Sequence, residues 1–184
     1  MDLFRVFSWD NRSQGDKVGG PFYVPRERQG AGRHDIPDLD GVLYCAHETV
    51  SAISEAIQIF RNQTLSDDDF ERGDNLHQTL ASYRLANEKE LKDLNDPVVL
   101  KDLKIKPSEV ATVNRSMTQA LCRRLYEKGA HGFKWWSTLE ASWINVTLFQ
   151  SRIKNQLVLV DLKPLSTKMT EVKEASRWMK IVLG

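Results

Sequence analysis

The chain has 184 residues, 41% of them hydrophobic, and its 26 lysines and arginines nearly balance 25 aspartates and glutamates. This length is typical of one domain with a sizeable core. The charge balance argues against a protein that mainly coats nucleic acid or an anionic membrane, since such surfaces are clearly basic. No apolar run approaches the roughly 18 residues of a membrane span, and the first residues lack a secretory signal. We expect one cytoplasmic domain over residues 1–184, with no direct nucleic-acid or membrane partner.

The cysteines and histidines form no recognised redox or metal pattern. Cys45 and Cys122 lie far apart without a CxxC spacing, which favours buried, reduced thiols. No metal-ligand spacing links the four histidines, His34, His47, His77 and His131, so the sequence predicts no metal site. The motifs GxGxxG, GxxxxGK[ST] and GxSxG are also absent, which removes the simple Rossmann, P-loop and hydrolase interpretations.

The N-terminal half is predicted to hold two strands and one helix. Residues around Arg5 alternate in the manner of a short, mostly buried strand, and the apolar run 41–46 predicts a second strand. Dense glycines and prolines exclude long helices from residues 11–40. Residues 50–62 place their apolar side chains on one arc of a helical wheel. Glu55 lies at the edge of that arc, so we expect it to be partly buried.

The C-terminal half is predicted to be richer in strands. Ser116 and Gln119 match a capping box at the start of a helix, and Gly129 matches its end. The acidic segment 66–74 is expected to be a solvated loop or the start of a helix, and Asn95-Asp96-Pro97 is a turn signal. A last amphipathic helix is predicted at 171–182, and further strands at 80–86, 90–94, 131–136, 144–149 and 157–162. Interspersed strands and few helices predict an α+β fold on a mixed or antiparallel sheet.

Four local patterns then follow one another in a particular order. They are Phe4-Arg5-Val6-Phe7; Gly32-Arg33-His34 with Leu43-Tyr44-Cys45-Ala46; Ser51-Ala52-Ile53-Ser54-Glu55; and Gly132-Phe133-Lys134-Trp135-Trp136-Ser137 with Asn145 and Phe149. This ordered set resembles the RES-domain family, named for its Arg, Glu and Ser residues, over roughly residues 3–150. The sequence departs from the family pattern at His34, where an aromatic or large residue is expected, at Phe133, which replaces isoleucine, and at the two tryptophans.

The resemblance implies a fold similar to that of ADP-ribosyltransferase toxins, a split sheet with a cleft for NAD. It implies the toxin of a bacterial type II toxin–antitoxin pair, which depletes NAD by cleaving the nicotinamide–ribose bond. NAD is then the substrate, inorganic phosphate is a co-substrate if the enzyme is a phosphorylase, and no other cofactor is needed. The implied partner is an antitoxin, often with a helix-turn-helix domain, that covers the active site. Small homo-oligomers are also implied.

The resemblance assigns roles to five residues. Glu55 would hold a ribose hydroxyl and stabilise the developing oxocarbenium ion. Arg5 and Arg33 would bind the diphosphate, because a guanidinium forks onto phosphate oxygens. Tyr44 would stack on nicotinamide, with its hydroxyl reaching ribose or a carboxylate. Ser137 would hydrogen-bond substrate or orient Glu55, and it has no histidine–aspartate pair that would make it a nucleophile.

The same residues also have ordinary structural interpretations. Glu55 taken alone suits a surface helix, Arg33 a solvated loop, Tyr44 a sheet interior and Ser137 a turn. Arg5 differs, because its apolar neighbours in the chain predict partial burial and hence a need for an anionic partner. Of the two tryptophans before Ser137, one is expected in the core and the other is a candidate for the pocket lining.

Two further functions stay compatible with the sequence. A mono-ADP-ribosyltransferase would keep the fold and substrate but use a protein as acceptor. Such enzymes often carry a second Glu or Gln two residues before the catalytic Glu, and here that position is Ile53, which favours a small-molecule acceptor. The third function is a non-catalytic interaction module. The complete ordered set, with Arg5 in its apolar strand and Glu55 intact, argues against it.

Overall fold

The computed structural model describes residues 1–73 and 75–184. Asp74, which belongs to the acidic segment noted above, lies outside the described residues. The chain divides into two compact units. Unit 1 consists of Met1, Val24–Cys45 and Leu85–Val158, and unit 2 of Asp2–Tyr23, Ala46–Arg84 and Leu159–Gly184. In the described part of the chain, no helix has the length and apolar character needed to cross a membrane.

The secondary structure confirms the α+β class. The strands are β1 (Asp2–Asp10), β2 (Val42–Ala46), β3 (Thr64–Leu65), β4 (Leu76–Leu85), β5 (Leu91–Asp93), β6 (Gly132–Trp136), β7 (Ile144–Phe149), β8 (Leu157–Pro164) and β9 (Val182–Leu183). The helices are α1 (Thr49–Ile57), α2 (Pro97–Leu103), α3 (Pro107–Val110), α4 (Arg115–Glu127), α5 (Gln150–Ile153) and α6 (Thr170–Met179). Between residues 11 and 40 only a short 3₁₀ helix forms, Arg26–Arg28, as the glycines and prolines predict.

Unit 1 is built on a mixed sheet, as predicted. Its strands follow the order β5-β6-β7-β2, with β5 parallel to β6 and β6 antiparallel to β7. Strand β6 and helix α4 contribute to one apolar core, which holds Val110, Leu121, Leu125, Phe133 and Trp135. Because this core packs β6 against α4, it fixes these two elements relative to each other. The loops next to them, which carry polar side chains, are positioned as a result.

Unit 2 is built on the antiparallel pair β1–β4. Their register runs from Asp2 opposite Arg84 to Asp10 opposite Leu76. Helix α1 packs against β1 and against α6, and buries Ile53 and Ile57 completely or nearly so. The short strands β3 and β9 pair in parallel. The strand around Arg5 and the helix that carries Glu55 are therefore neighbours within this unit.

Two predicted helices end earlier than the apolar pattern suggests. Helix α1 stops at Ile57 rather than at residue 62 and continues as a 3₁₀ turn, Gln58–Phe60. Helix α6 stops at Met179 because Lys180 has a φ of +57°, a left-handed conformation that ends a right-handed helix. The residues that follow form β9 instead of a last helical turn.

The start of α4 was predicted at the wrong residue. The cap is Asn114, whose side-chain oxygen accepts a hydrogen bond from the Met117 N–H at 3.3 Å. Ser116 is exposed inside the first turn, and the Gln119 side chain donates to the Gly32 carbonyl rather than to the start of the helix. Gly129 follows the helix with a φ of +83°, as a residue after a helix end requires.

Helices α2, α3 and α5 were not predicted. Asp96 and Pro97 were interpreted as a turn, yet the Asp96 carboxylate accepts from the Val98 N–H at 2.8 Å and Pro97 is the first residue of α2. Aspartate as N-cap with proline next is also a helix start. The acidic segment begins with a 3₁₀ helix, Asp67–Phe70, which matches one of its two predicted forms.

Cys45 and Cys122 are buried thiols, and burial raises the pKa of Cys122.

The two candidate caps of α4 can be separated by mutation. We expect Asn114→Ala to lower the free energy of unfolding by about 1 kcal/mol, because the Met117 N–H loses its acceptor. Ser116→Ala is the matched control, and it should change the stability by less than about 0.5 kcal/mol. Urea unfolding of both variants gives the comparison. A larger loss for Ser116→Ala would return the cap to the position predicted from the sequence.

Candidate functional site

Arg33 is a buried cation in unit 1, with 9% of its surface accessible. Its Nη1 donates to the Thr112 carbonyl at 2.5 Å and its Nη2 to the Thr138 hydroxyl at 3.5 Å. Its Cζ lies 5.2 Å from the centre of the Trp135 ring, within cation–π range. The interpretation of Arg33 as a solvated loop residue is therefore wrong. Its role toward phosphate stays a prediction.

Tyr44, on β2, uses its hydroxyl within unit 1. The hydroxyl donates to Asp35 Oδ1 at 2.7 Å and accepts from the His34 N–H at 2.8 Å. Burial, followed by the neighbouring Asp35 carboxylate, raises the pKa of Tyr44, so the phenol stays protonated. The hydroxyl thus reaches a carboxylate, one of its two expected partners, but it is a carboxylate that the sequence did not single out.

Asp35 is a polar residue of this region that sequence reasoning missed. Its Oδ2 accepts from the backbone N–H groups of Gly30 at 2.8 Å and Gly32 at 2.6 Å. No local signal marks it, because the usual aspartate turn places the carboxylate before the N–H that it binds, whereas here it follows both. A Cβ at residue 32 would lie 2.5 Å from Asp35 Oδ1, so this arrangement requires Gly32.

His34 takes the place of an aromatic side chain in an aromatic environment. It is completely buried, with the rings of Phe133 and Trp135 each 4.8 Å away in edge geometry. Its Nδ1 lies 2.9 Å from the Thr147 hydroxyl, and its buried Nε2 has no hydrogen-bond partner among the described residues. Burial, with the charges of Arg33 and Arg115, holds the pKa of His34 well below its usual value. The ring is therefore neutral near pH 7, which suits an aromatic position.

Ser137 follows β6 and is buried. Its N–H donates to the Trp143 carbonyl at 2.8 Å, and its hydroxyl accepts from the Leu139 N–H at 3.1 Å. The second bond is typical of a serine that stabilises a turn. The next residue, Thr138, contacts Arg33, so Ser137 and Arg33 lie in the same region. Trp135 is the tryptophan predicted to be in the core, and Trp136 is partly buried against that core.

Arg5 and Glu55 belong to unit 2. The Nη1 and Nη2 atoms of Arg5 both donate to the Tyr23 carbonyl at 3.3 Å, and its Cζ lies 5.4 Å from the Phe7 ring. Arg5 is half-buried, as predicted. Within residues 1–73 and 75–184, these bonds go to a carbonyl group, and Arg5 makes no ion pair or hydrogen bond with a carboxylate. The anionic partner that its burial calls for is therefore not among the described residues.

Glu55 is half-buried on α1, in agreement with its place at the edge of the apolar arc. Its Oε2 accepts from the Gln58 side chain at 3.0 Å, and the same amide group donates to the Glu55 carbonyl at 2.9 Å. Gln58 thus restrains the carboxylate from one turn further along the chain. Partial burial strengthens the field of a carboxylate compared with full exposure.

Within unit 1, the structure brings three of the five predicted site residues into one region. Asp35 and His34 link Arg33 to Tyr44, and Thr138 links Arg33 to Ser137. Within unit 2, Arg5 lies on β1 and Glu55 on α1, which pack together. Unit 1 therefore contains a buried arginine, Arg33, and unit 2 contains a half-buried one, Arg5.

Comparisons with known proteins agree with the ordered motifs. The model of the RES domain matches residues 3–166, and the chain belongs to the RES domain family. A chain from the crystal structure of the M. tuberculosis MbcT–MbcA toxin–antitoxin complex superposes with a TM-score of 0.64 at 14% identity. The match covers 98% of the present chain and 87% of that chain. A search of the curated proteins finds no match to the sequence. At 14% identity, the structural likeness shows the fold.

The neutral His34 predicts a pH dependence of stability. Its folded-state pKa lies below its unfolded value, so the unfolded chain binds the extra proton first, and stability falls as pH drops below about 6.5. We expect His34→Phe to remove this contribution. The free energy of unfolding of the unaltered protein should fall relative to that of the variant by up to about 1.4 kcal/mol per pH unit between pH 6 and 5.

Urea unfolding at several pH values measures this difference. His77→Phe serves as the control, because the imidazole of His77 is partly exposed and its replacement should leave the His34 contribution in place. Parallel pH curves for the unaltered protein and His34→Phe would contradict the neutral, buried state of His34.

Proposed function

We propose that the chain is the toxin of a type II toxin–antitoxin system and that it depletes NAD by cleaving the nicotinamide–ribose bond. The observation that carries the proposal is the RES domain match over residues 3–166, because that range contains all five motif residues, Arg5, Arg33, Tyr44, Glu55 and Ser137. A solved structure with the same fold comes from a toxin–antitoxin complex, which supports the assignment to such a system.

The reaction makes a definite demand on the protein. The bond between C1′ of the ribose and the ring nitrogen breaks, its electron pair stays with nicotinamide, and nicotinamide leaves as a neutral molecule. The ribose carbon becomes cationic and is captured by water, which loses a proton, or by phosphate. No general acid is needed, and stabilisation of the positive charge is the main requirement. The half-buried carboxylate of Glu55 suits this role.

Binding of the diphosphate is assigned to the two arginines. Arg5 gives the clearest support, because it is a half-buried cation whose hydrogen bonds go to the neutral carbonyl of Tyr23. A cation removed from water is costly unless an anion compensates it. An anionic ligand would supply that compensation, and a guanidinium binds phosphate oxygens in a forked geometry.

The acceptor is proposed to be a small molecule. Position 53, two residues before Glu55, is occupied by isoleucine, and that side chain is completely buried. An apolar side chain in the core has no group that could activate a protein acceptor. Water or phosphate is therefore favoured over a protein side chain, and the enzyme is proposed to be a glycohydrolase or a phosphorylase.

The proposed setting follows from the same family. We propose that the toxin acts in the cytoplasm and that an antitoxin with a helix-turn-helix domain covers its active site. The nearly balanced charge of the chain agrees with a protein that leaves contact with DNA to its partner. A small homo-oligomer is part of the proposal.

The assay of this function is NAD consumption by the purified chain without a partner, with and without phosphate. We expect release of free nicotinamide, and a loss of about 10²- to 10³-fold in Glu55→Gln, which keeps the size of the side chain but removes its charge. Glu174→Gln is the matched control, because Glu174 is an exposed glutamate on α6 of the same unit. Full activity in Glu55→Gln would exclude the assigned role.

Arg33 allows a test of forked binding. Arg33→Ala should raise KM for NAD by about ten- to a hundredfold, as expected for the loss of a charge-assisted contact of roughly 1.5–3 kcal/mol. Arg33→Lys keeps the charge but not the fork, so its KM should lie between those of the unaltered protein and Arg33→Ala. Arg123→Ala controls for loss of a cation, since Arg123 pairs with Asp38 at the surface. Equal KM values for Arg33→Ala and Arg33→Lys would contradict a forked contact.

A further inference from the structure

We propose that Asp35 is a positioning residue that fixes Arg33 for a diphosphate ligand. The proposal rests on the proposed function to the extent that it assigns a diphosphate to Arg33. Asp35 would not contact that ligand itself. It would act through the backbone of residues 30–35, here named the arginine loop.

The Asp35 carboxylate is the centre of the arginine loop. One oxygen accepts two backbone N–H groups, those of Gly30 and Gly32, and the other accepts the Tyr44 hydroxyl. Asp35 itself is only 6% exposed. A buried carboxylate that accepts three hydrogen bonds ties the start of the loop and β2 to a single point.

Helix α4 holds the same loop from the other side of its backbone. The Gln119 side chain donates to the carbonyls of Gly30 at 2.9 Å and Gly32 at 2.8 Å. The Thr118 hydroxyl donates to the carbonyl of Arg33. Between them, Asp35 and α4 bind two N–H groups and three carbonyls of the arginine loop.

Such restraint matters because the loop is intrinsically flexible. Gly30 has a φ of +145°, a conformation that is accessible to glycine and leaves the chain many alternatives when it is not tied down. The Arg33 guanidinium reaches Thr112 and Thr138, whose positions are set by other elements. A shift of about 1 Å in the loop would misplace the guanidinium and reduce function by as much as about a hundredfold.

Because Asp35 is acidic, a positioning role and an electrostatic role predict opposite changes in diphosphate affinity when Asp35 is removed. An acidic group near a diphosphate repels it, so a purely electrostatic role predicts that removal of Asp35 strengthens binding. A positioning role predicts the opposite, because the loop loses its anchor. All three hydrogen bonds that Asp35 accepts come from the loop and from Tyr44, which is the arrangement that a positioning role requires.

The experiment measures calorimetric binding of ADP, a diphosphate probe that requires no catalysis. The variants are Asp35→Ala, Arg33→Ala and the double variant. We expect each single variant to bind ADP about ten- to a hundredfold more weakly than the unaltered protein. The double variant should be no weaker than Arg33→Ala, because Asp35 acts through Arg33.

Asp38→Ala is the matched control. It removes the same charge from a neighbouring position, where Asp38 is exposed and pairs with Arg123 at 2.8 Å. It should leave ADP affinity unchanged or slightly raised. A loss equal to that of Asp35→Ala would show a general charge or surface effect and would overturn the proposal.

Two further variants keep the test valid if Asp35→Ala does not fold. Asp35→Asn retains an oxygen that can accept from Gly30 and Gly32 but takes away the acceptor of the Tyr44 hydroxyl. ADP affinity should therefore fall by only about two- to tenfold, the cost of one typical hydrogen bond, and less than in Asp35→Ala. Gly32→Ala places its Cβ 2.5 Å from the carboxylate and should weaken binding as Asp35→Ala does. Unchanged affinity in Gly32→Ala would overturn the positioning role.

Other outcomes also decide the question. Additive losses in the double variant, or unaltered binding by Asp35→Ala, would show that Asp35 does not act through Arg33. Failure of the unaltered protein to bind ADP would overturn the diphosphate site. NAD consumption is assayed on the same samples, so that ADP binding with the expected coupling but without NAD cleavage would refute the proposed reaction and leave the positioning role standing.

Discussion

Arg33 is a charged side chain held inside unit 1, and several groups around it compensate for the loss of its contact with water. A guanidinium removed from water requires hydrogen-bond acceptors with good geometry. Here they come from the Thr112 carbonyl, between α3 and α4, and from the Thr138 hydroxyl, after β6. The face of Trp135 adds a cation–π contact. These groups belong to different elements, so the apolar core between α4 and β6 determines whether they meet.

The apolar and polar parts of this region are therefore not independent. The His34 ring contacts the rings of Phe133 and Trp135, and its backbone N–H donates to Tyr44. Trp135 also donates from its indole nitrogen to the Thr147 hydroxyl at 3.0 Å. A change in core packing at β6 would consequently alter the surroundings of Arg33 as well as the stability.

Local patterns predicted much of the fold. Strand β7 was predicted at its observed limits, 144–149, because an apolar, β-branched run is bounded clearly on both sides. Helix α2 was missed because an aspartate followed by a proline starts turns and helices alike. The cap of α4 was misplaced because Asn114 and Ser116 are both good caps two residues apart, and only the backbone decides between them.

The site was predictable where it depends on the order of motifs and hidden where it depends on contacts. The motif order placed Arg33, Tyr44 and Ser137 in one functional set, and unit 1 brings these three into one region. Asp35 was missed because its significance lies in a meeting with Tyr44 and with two glycine N–H groups that precede it. The solvated interpretation of Arg33 failed because burial of an arginine depends on acceptors distant in sequence, such as Thr112 and Thr138.

The two cysteines have a practical consequence. Cys45 and Cys122 are both buried, and burial raises the pKa of Cys122, which leaves little of the thiolate that reacts with maleimides. A single cysteine introduced at an exposed position would then be labelled selectively, with both native cysteines kept. A fluorescent label attached there can report a change in its local environment in solution, in a protein whose core is unchanged.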